Sequence, residues 1–201
     1  MSSAPSSLPD ALRAVLLDPA EATTLDVHGR TKAAVLIPLF EDRDGALHAV
    51  FTRRRHDLRS HAGEISFPGG RRDGGEDLLT TALREAEEEI GLPREAVRVL
   101  GALPPTPTVA TSFGVYPFVG LIEPGQAWTL SPREVAEVLE LRLDDLRASR
   151  THRRIVHRGI PFRTEVYAVG ETTLIWGATA RIVGDLLGRI DAAPGAEGAG
   201  G

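Results

Sequence analysis

Between Gly70 and Leu92 the chain reads GRRDGGEDLLTTALREAEEEIGL, a charged, glycine-rich turn running directly into a carboxylate-dense helix. At about 100° per residue, Glu85, Glu88 and Glu89 share one helical face, because residues three and four apart are neighbours. Leu79, Leu83, Ala86 and Ile90 recur at i, i+4, i+7 and i+11 and predict a roughly opposite apolar stripe. One side can therefore be buried while the other crowds like charges together. Such pairs cost a few tenths of a kcal/mol each unless they are neutralised. Hard divalent cations such as Mg²⁺ and Mn²⁺ prefer carboxylate oxygens and would neutralise them. A solvated Glu-rich helix is the plain competitor, and the spacing of the fixed residues argues against it.

Composition narrows the field. The 201 residues suit one domain with decorated ends; 42% are hydrophobic and 25% charged, as in ordinary soluble proteins. No apolar run approaches the length of a membrane span. The opening MSSAPSSLPD lacks the regions of a signal peptide, and the final AAPGAEGAGG is neither a helix nor a peroxisomal address. The absence of cysteine excludes disulfides and thiol catalysis and fits a cytoplasmic chain. A net charge of −5 argues against a general nucleic-acid binder. Against that background Arg53, Arg54, Arg55, Arg59, Arg71 and Arg72 form a basic concentration beside the acidic helix.

Taken in order, residues 1–8 are expected to be a disordered N-terminus, 9–190 a single domain and 191–201 a disordered tail. Leu8, Leu12, Val15 and Leu16 predict a short helix from Pro9 to Asp18, followed by a polar connector. Lys32–Phe40 and Ala46–Arg54 read as strands joined at Asp44-Gly45. Ile65–Phe67 is a short strand that Pro68-Gly69-Gly70 breaks, with glycine permitting a ligand close to the backbone. Gly91 with Pro93 stops the acidic helix. Val97–Leu103 and Val115–Ile122 are strands around a Pro- and Thr-rich loop, 104–112, placed to border a pocket. Glu134–Leu141 suits strand or helix and is assigned to strand, with a helical turn at Leu143–Ala148. Phe162–Val169 and Thr172–Trp176 form a hairpin about Gly170-Glu171, and Ala178–Ile190 is a closing amphipathic helix. Trp176 is expected in the core of its strand. The sum is a mixed α/β layered domain.

The segment from Gly70 matches, at every fixed position, the Nudix box G-x5-E-x7-R-E-U-x-E-E-x-G-U, with U aliphatic and Ala86 a small occupant of one U site. The chain thus resembles Nudix hydrolases. The resemblance implies an α/β/α sandwich with a mixed β-sheet. It also supports Glu85, Glu88 and Glu89, the glutamates of the REUxEE run, as metal ligands for Mg²⁺ or Mn²⁺. Glu76 is a further candidate, either as ligand or as a partner holding Arg84, whose role reads as structural. Bound cations would offset the charge of a diphosphate ester and lower the pKa of bound water. Glu88 is also a candidate catalytic residue. A carboxylate saturated by metal is a poor base. In other Nudix enzymes a later glutamate serves as base or extra ligand, and Glu134 matches that location.

A second resemblance precedes the box. Val50-Phe51-Thr52-Arg53-Arg54, Arg59, Gly63 and Phe67-Pro68-Gly69-Gly70 are similar to the pattern L-L-T-x-R-[S/A]-x3-R-x3-G-x3-F-P-G-G of Nudix coenzyme A diphosphatases. Arg55 departs from it, standing where Ser or Ala is wanted, and reads either as an added phosphate contact or as altered substrate choice. Pro117–Gly120, Glu134-Val135 and Ile175–Ala180 also resemble this branch. The implied substrate is coenzyme A or an acyl thioester. Arg54 and Arg59 are expected to contact phosphate through bidentate guanidinium bonds, with Ser66, Gly69 and Gly70 adding hydrogen bonds. His61 is a weaker candidate. The other arginines read as solvated charges. A small nucleotide partner is expected, without nucleic acid or membrane, and a homodimer is admitted. Two alternatives stay open: hydrolysis of another nucleotide such as ADP-ribose, a dinucleoside polyphosphate or a nucleoside triphosphate, and a non-catalytic ligand-sensing module.

Overall fold

The computed structural model describes residues 7–27, 31–55, 63–108, 112–157 and 159–193. Its first helices are α1 (Leu8–Val15) and α2 (Pro19–Thr24). The first opens one residue before the expected start and ends short of Asp18. The expected connector instead folds as α2, because Asp18 caps it by accepting the N–H of Ala20 (2.8 Å) and Glu21 (3.4 Å), with Pro19 in the first turn.

The hairpin of β1 (Thr31–Glu41) and β2 (Leu47–Arg54) forms as the sequence suggests. Asp42 organises its turn, accepting from the N–H of Asp44 and Ala46 and meeting the His48 ring at 2.9 Å. Gly45 supplies a left-handed φ of +83°. Next come β3 (Ile65–Ser66) and β4 (Gly69–Arg71). The strand breaks at Phe67-Pro68 as expected, but the glycines re-enter the sheet on another partner: Gly69, Gly70 and Arg71 pair antiparallel with Val35, Ala34 and Ala33. The helix α3 spans Leu78–Ile90. After it come β5 (Arg98–Ala102), β6 (Thr106–Pro107) and β7 (Phe113–Leu121). The loop expected at 104–112 thus contributes a short strand, with residues 109–111 outside the described set.

The main sheet runs β3-β2-β1-β7-β5, with β4 also on β1, β6 on β7, and β8 (Val135–Arg142) on β2. β1 and β7 are parallel, from Thr31 opposite Phe113 to Leu39 opposite Leu121. The remaining pairings are antiparallel, so the sheet is mixed. The α4 helix (Leu143–Ser149) follows β8 as expected. A second, three-stranded sheet has the order β11-β10-β9, from β9 (Arg150–His157), β10 (Ile160–Val169) and β11 (Thr173–Ile175). Its outer strand THRRIVH shows no apolar alternation and escapes sequence reading; pairing to β10 holds it there. The closing helix is α5 (Gly177–Asp191).

Period-two alternation divides the core between the two faces of the sheet. Ile37, Leu39, Ala49 and Phe51 join Leu12 of α1, Leu146 of α4, and Ile182 and Leu186 of α5. Ala34, Leu36, Phe40 and Val50 join Ala22 of α2 and Leu78, Ala82, Ala86 and Ile90 of α3. The result is the three-layer α/β/α arrangement implied by the resemblance. No helix among the described residues is long and apolar enough to cross a membrane.

The stripe on α3 is rotated from the expected one. Leu78, Thr81, Ala82, Ala86, Glu89 and Ile90 are buried, whereas Leu79 and Leu83 are only half-buried. The helix lies against β1 and β4, and the glycines of β4 let its Glu85–Glu89 edge come inward. Trp176 also departs from expectation. It sits half-buried at the start of α5, with its ring 6.4 Å from that of Phe162.

Candidate active site

Rigid ends fix the acidic helix. Asp77 caps the N-terminus, accepting the N–H of Thr80 at 2.9 Å. Gly91 closes the other end at φ +69°, its N–H reaching back to the Ala86 and Glu87 carbonyls.

The glutamates on this scaffold occupy very different environments. The Glu88 side chain is 59% exposed, that of Glu85 only 16%, and Glu89 as a residue only 4%. Arg84 gathers the outer ones. Its Nε donates to Glu76 Oε1 (3.1 Å), Nη1 to Glu88 Oε2 (3.0 Å) and Nη2 to Glu85 Oε1 (3.0 Å). Thr81 Oγ1 donates to the second oxygen of Glu76 at 2.9 Å. The Arg84 bond, more than any other factor, holds the Glu76 carboxyl below its ordinary range. Arg84 is raised in turn, chiefly by Glu76. Its expected structural role, tying the glycine-rich turn to the helix, is what these contacts describe.

Burial acts on the inner pair. It pushes Glu85 up, opposed by Arg84 and aided by the charges of Glu88 and Glu134. Glu89 is pushed up to about 8, mainly by burial, with Glu85 and Glu134 adding to the effect. The Gly69 N–H, donating to Glu89 Oε2 at 3.1 Å, and the charge of Arg54 pull the other way.

The β4 glycines leave no room for side chains. A Cβ on Gly69 would lie 2.3 Å from the Ala34 carbonyl oxygen, and one on Gly70 would lie 2.4 Å from Glu85 Oε1. Glycine is needed at Gly69, where the obstacle is backbone, whereas a side chain at Gly70 would displace the Glu85 carboxylate.

Glu134 reaches this region although 45 residues of sequence separate it from Glu89. The loop before β8 docks on the end of α3. Thr129 N–H donates to the Ile90 carbonyl (3.0 Å) and Ser131 N–H to the Glu89 carbonyl (2.9 Å). Glu134 then lies in the turn entering β8, its own N–H donating to Ser131 O at 3.2 Å. Arg55 braces the same turn. Its backbone N–H donates to the Glu134 carbonyl (3.0 Å) and its Nη1 to the Pro132 carbonyl (2.9 Å). The residue that departs from the upstream pattern is therefore engaged with the Glu134 loop.

Of the expected phosphate contacts, Arg54 is half-buried at the end of β2, and its Nε is buried without a hydrogen-bond partner among the described residues. Ser66 pairs with Thr52 across β3 and β2, their hydroxyls 3.5 Å apart. Arg59 and His61 lie outside the described residues. Arg53 is structural, bonding Glu137 at 2.8 Å and the Thr172 carbonyl at 3.2 Å.

The NUDIX domain model matches residues 30–159. The chain belongs to the Nudix family. It is 40% identical over 167 residues to an uncharacterized Nudix hydrolase, NudL, of Citrobacter koseri, covering 82% of this chain and 85% of that one. A protein of the same name from Cronobacter sakazakii is 39% identical over 165 residues, covering 81% and 84%. Among solved structures, a MutT/nudix family protein from Enterococcus faecalis superposes with a TM-score of 0.57 at 13% identity, over 93% of this chain and 75% of that one. The Nudix hydrolase RenU of M. smegmatis gives 0.52 at 24% identity, over 59% and 74%. Both show the fold. As a Nudix hydrolase, the chain acts on the pyrophosphate linkage of a nucleoside diphosphate derivative. Nudix hydrolases generally use divalent metal ions, typically Mg²⁺ or Mn²⁺.

The donor set of this Nudix site suits such an ion chemically, because it offers only hard carboxylate oxygens beside a backbone strand. Among the described residues no three Asp, Glu or His side chains converge closely enough to hold one ion as they stand. Arg84 draws Glu76, Glu85 and Glu88 onto its own guanidinium instead. The sequence reading missed Thr81, the buried hydroxyl that orients Glu76. Its signal was a polar residue inside the stripe that packs on the sheet. The bracing role of Arg55 left no local signal, since its partners lie 77 and 79 positions away.

Proposed function

We propose that this chain is a Mg²⁺- or Mn²⁺-dependent Nudix hydrolase that cleaves the diphosphate of coenzyme A or an acyl-coenzyme A. The products would be adenosine 3′,5′-bisphosphate and 4′-phosphopantetheine or its acyl form. The observation that carries the metal assignment is geometric: Glu89 is a carboxyl buried beside Glu85 on the edge of α3 that faces β4, within the field of Glu134. Burial raises the pKa of such a group, and a bound cation would favour its ionised form. Glu85, Glu88 and Glu89 would hold the ion, with Glu76 a further ligand or the partner that fixes Arg84. When bound, the ion supplies charge neutralisation on the diphosphate and a lowered pKa for water.

The chain's own groups divide the remaining tasks. Arg54, with Arg59, binds phosphate oxygens, and the buried Nε of Arg54 is a donor in want of an acceptor. Ser66 adds a hydroxyl, while Gly69 and Gly70 serve indirectly, the Gly69 N–H holding Glu89 and the missing Cβ of Gly70 admitting the Glu85 carboxylate. Glu134 takes the proton of the attacking water as the water oxygen bonds to phosphorus and the P–O bond of the anhydride breaks. The upstream pattern from Val50 to Gly70 supports coenzyme A in particular, since that pattern resembles the coenzyme A diphosphatase branch. We take residues 9–190 as the single catalytic unit and the cytoplasm as its compartment.

Glu88→Gln and Glu89→Gln are each expected to lower kcat by at least about a hundredfold while the circular dichroism spectrum is unchanged. Turnover at the parental rate in either variant would remove the metal assignment. The substrate is settled by a panel of coenzyme A, acetyl-coenzyme A and ADP-ribose in H₂¹⁸O with mass-spectrometric product identification. Preference for ADP-ribose over both coenzyme A substrates would refute the coenzyme A reading and leave the hydrolase standing.

A further inference from the structure

A basic cleft opens at the far end of β4, away from Gly69. It has a volume of about 430 Å³ and is lined by Thr31, Lys32, Arg71, Arg72 and Gly74. Three cations face one cavity in a chain whose net charge is −5. Among the described residues none of the three has a carboxylate in ion-pair contact. Asp73, next in sequence, lies instead 3.9 Å from Arg84. Lys32 is held by the Tyr116 ring, its Nζ 5.2 Å from the centroid, and Tyr116 is anchored by its hydroxyl on the Leu25 carbonyl at 2.8 Å. The Arg72 N–H donates to the Lys32 carbonyl at 3.2 Å, so the two residues are fixed side by side by the backbone. Arginines spread over a surface would be solvated charges. Here register and a cation–π contact bring the three cations together, with no carboxylate among the described residues paired to offset their mutual repulsion.

The cleft also has a fixed relation to the acidic site. Gly70 abuts the Glu85 carboxylate, and Arg72 lies two residues further along the same extended segment, roughly 7 Å on at the rise of a strand. That is comparable to the reach across one ribose and its ester oxygens. An anhydride held at the glutamates can therefore extend a second phosphate of the same nucleotide into the cleft. We propose that Lys32, Arg71 and Arg72 form a subsite for a phosphate monoester carried on the ribose of the substrate, separate from the diphosphate that is cleaved. This inference rests on the proposed reading of the substrate as a coenzyme A-like nucleotide and names the residues that would make its additional phosphate count. The ligand chemistry is a phosphate dianion, which arginine forks and an ammonium both suit.

Two measurements test it, one of them independent of turnover. In calorimetry, the parent protein is expected to bind adenosine 3′,5′-bisphosphate at least tenfold more tightly than adenosine 5′-monophosphate. R71A/R72A, which alters only exposed side chains, is expected to abolish that difference, and R72E to reverse it. In kinetics, the ratio of kcat/KM for coenzyme A to that for dephospho-coenzyme A is expected to fall at least tenfold in R71A/R72A. An unchanged difference in affinity together with an unchanged ratio overturns the subsite. Binding of inorganic phosphate with no discrimination between the two nucleotides also overturns it, by showing a general anion cleft. Failure of the parent to hydrolyse either coenzyme defeats the substrate reading instead, and the calorimetric comparison still judges the subsite.

Discussion

Glu89 concentrates the energetics of the site into one side chain. Its carboxyl is raised from 4.5 to about 8 in the folded chain, so ionisation opposes folding. Below pH 4.5 both folded and unfolded states hold the proton and no penalty exists. Between pH 4.5 and 8 the unfolded chain ionises first, and stability is lost until the folded group ionises as well. In metal-free buffer Glu89→Gln should therefore gain thermal stability over the parent as pH rises through that window, by a few kcal/mol at most. The gain should vanish near pH 4, and thermal melts across the range check it. An advantage that is constant with pH would contradict the buried-carboxyl account. Arg55 is the second residue with consequences of its own. Arg55→Ser removes the bond to the Pro132 carbonyl and loosens the turn carrying Glu134. The expectation is a fall in kcat of about tenfold with KM nearly unchanged, measured by initial rates. A rise in KM at constant kcat would mean that Arg55 contacts substrate.

At the scale of elements, the decisive contact is between α3 and β4. The spacing of Glu85, Glu88 and Glu89 was legible in the sequence because helical geometry is local. Which of them would be buried was not. The expected stripe of Leu79 and Leu83 is half-buried, and Leu78, Ala82 and Glu89 go inward, because bare glycine backbone draws one edge of the helix down. Gly70→Ala tests that approach. Its methyl carbon would lie 2.4 Å from Glu85 Oε1, so the carboxylate must swing away or β4 must shift. Loss of metal-dependent activity by at least about tenfold is expected, with a smaller loss of stability than in Gly69→Ala, where the obstacle is the Ala34 backbone. Activity and melting temperature of the two variants decide it. Short polar elements were the least legible. α2 depends on its Asp18 cap, and β9, rich in Arg and His, exists through its register with β10.

For the whole molecule, helices on both faces of a mixed sheet deliver residues from three distant stretches to one edge. β2 brings Arg54, β4 brings the glycines, and the 129–134 loop brings Glu134 by docking on the last turn of α3. A cation held there by Glu85, Glu88 and Glu89 would stabilise the native fold by mass action, about 2.7 kcal/mol at a hundred times its dissociation constant. Mn²⁺ titration is expected to raise the melting temperature of the parent, and to do so far less in Glu89→Gln. An equal shift in both proteins would place the ion elsewhere.

The sequence alone determined the carboxylate spacing, the strand–turn–strand pattern around Asp44-Gly45, the closing helix and the class of fold, because each follows from a periodicity or a turn preference over a few neighbouring residues. Tertiary structure alone decided that Glu89 is buried while Glu88 is exposed, that Arg55 braces Glu134, and that Lys32 meets Arg71 and Arg72 in one cleft. Burial and long-range hydrogen bonds belong to the packing of whole layers. They are set by how closely glycine backbone lets those layers approach, and no local period records that distance.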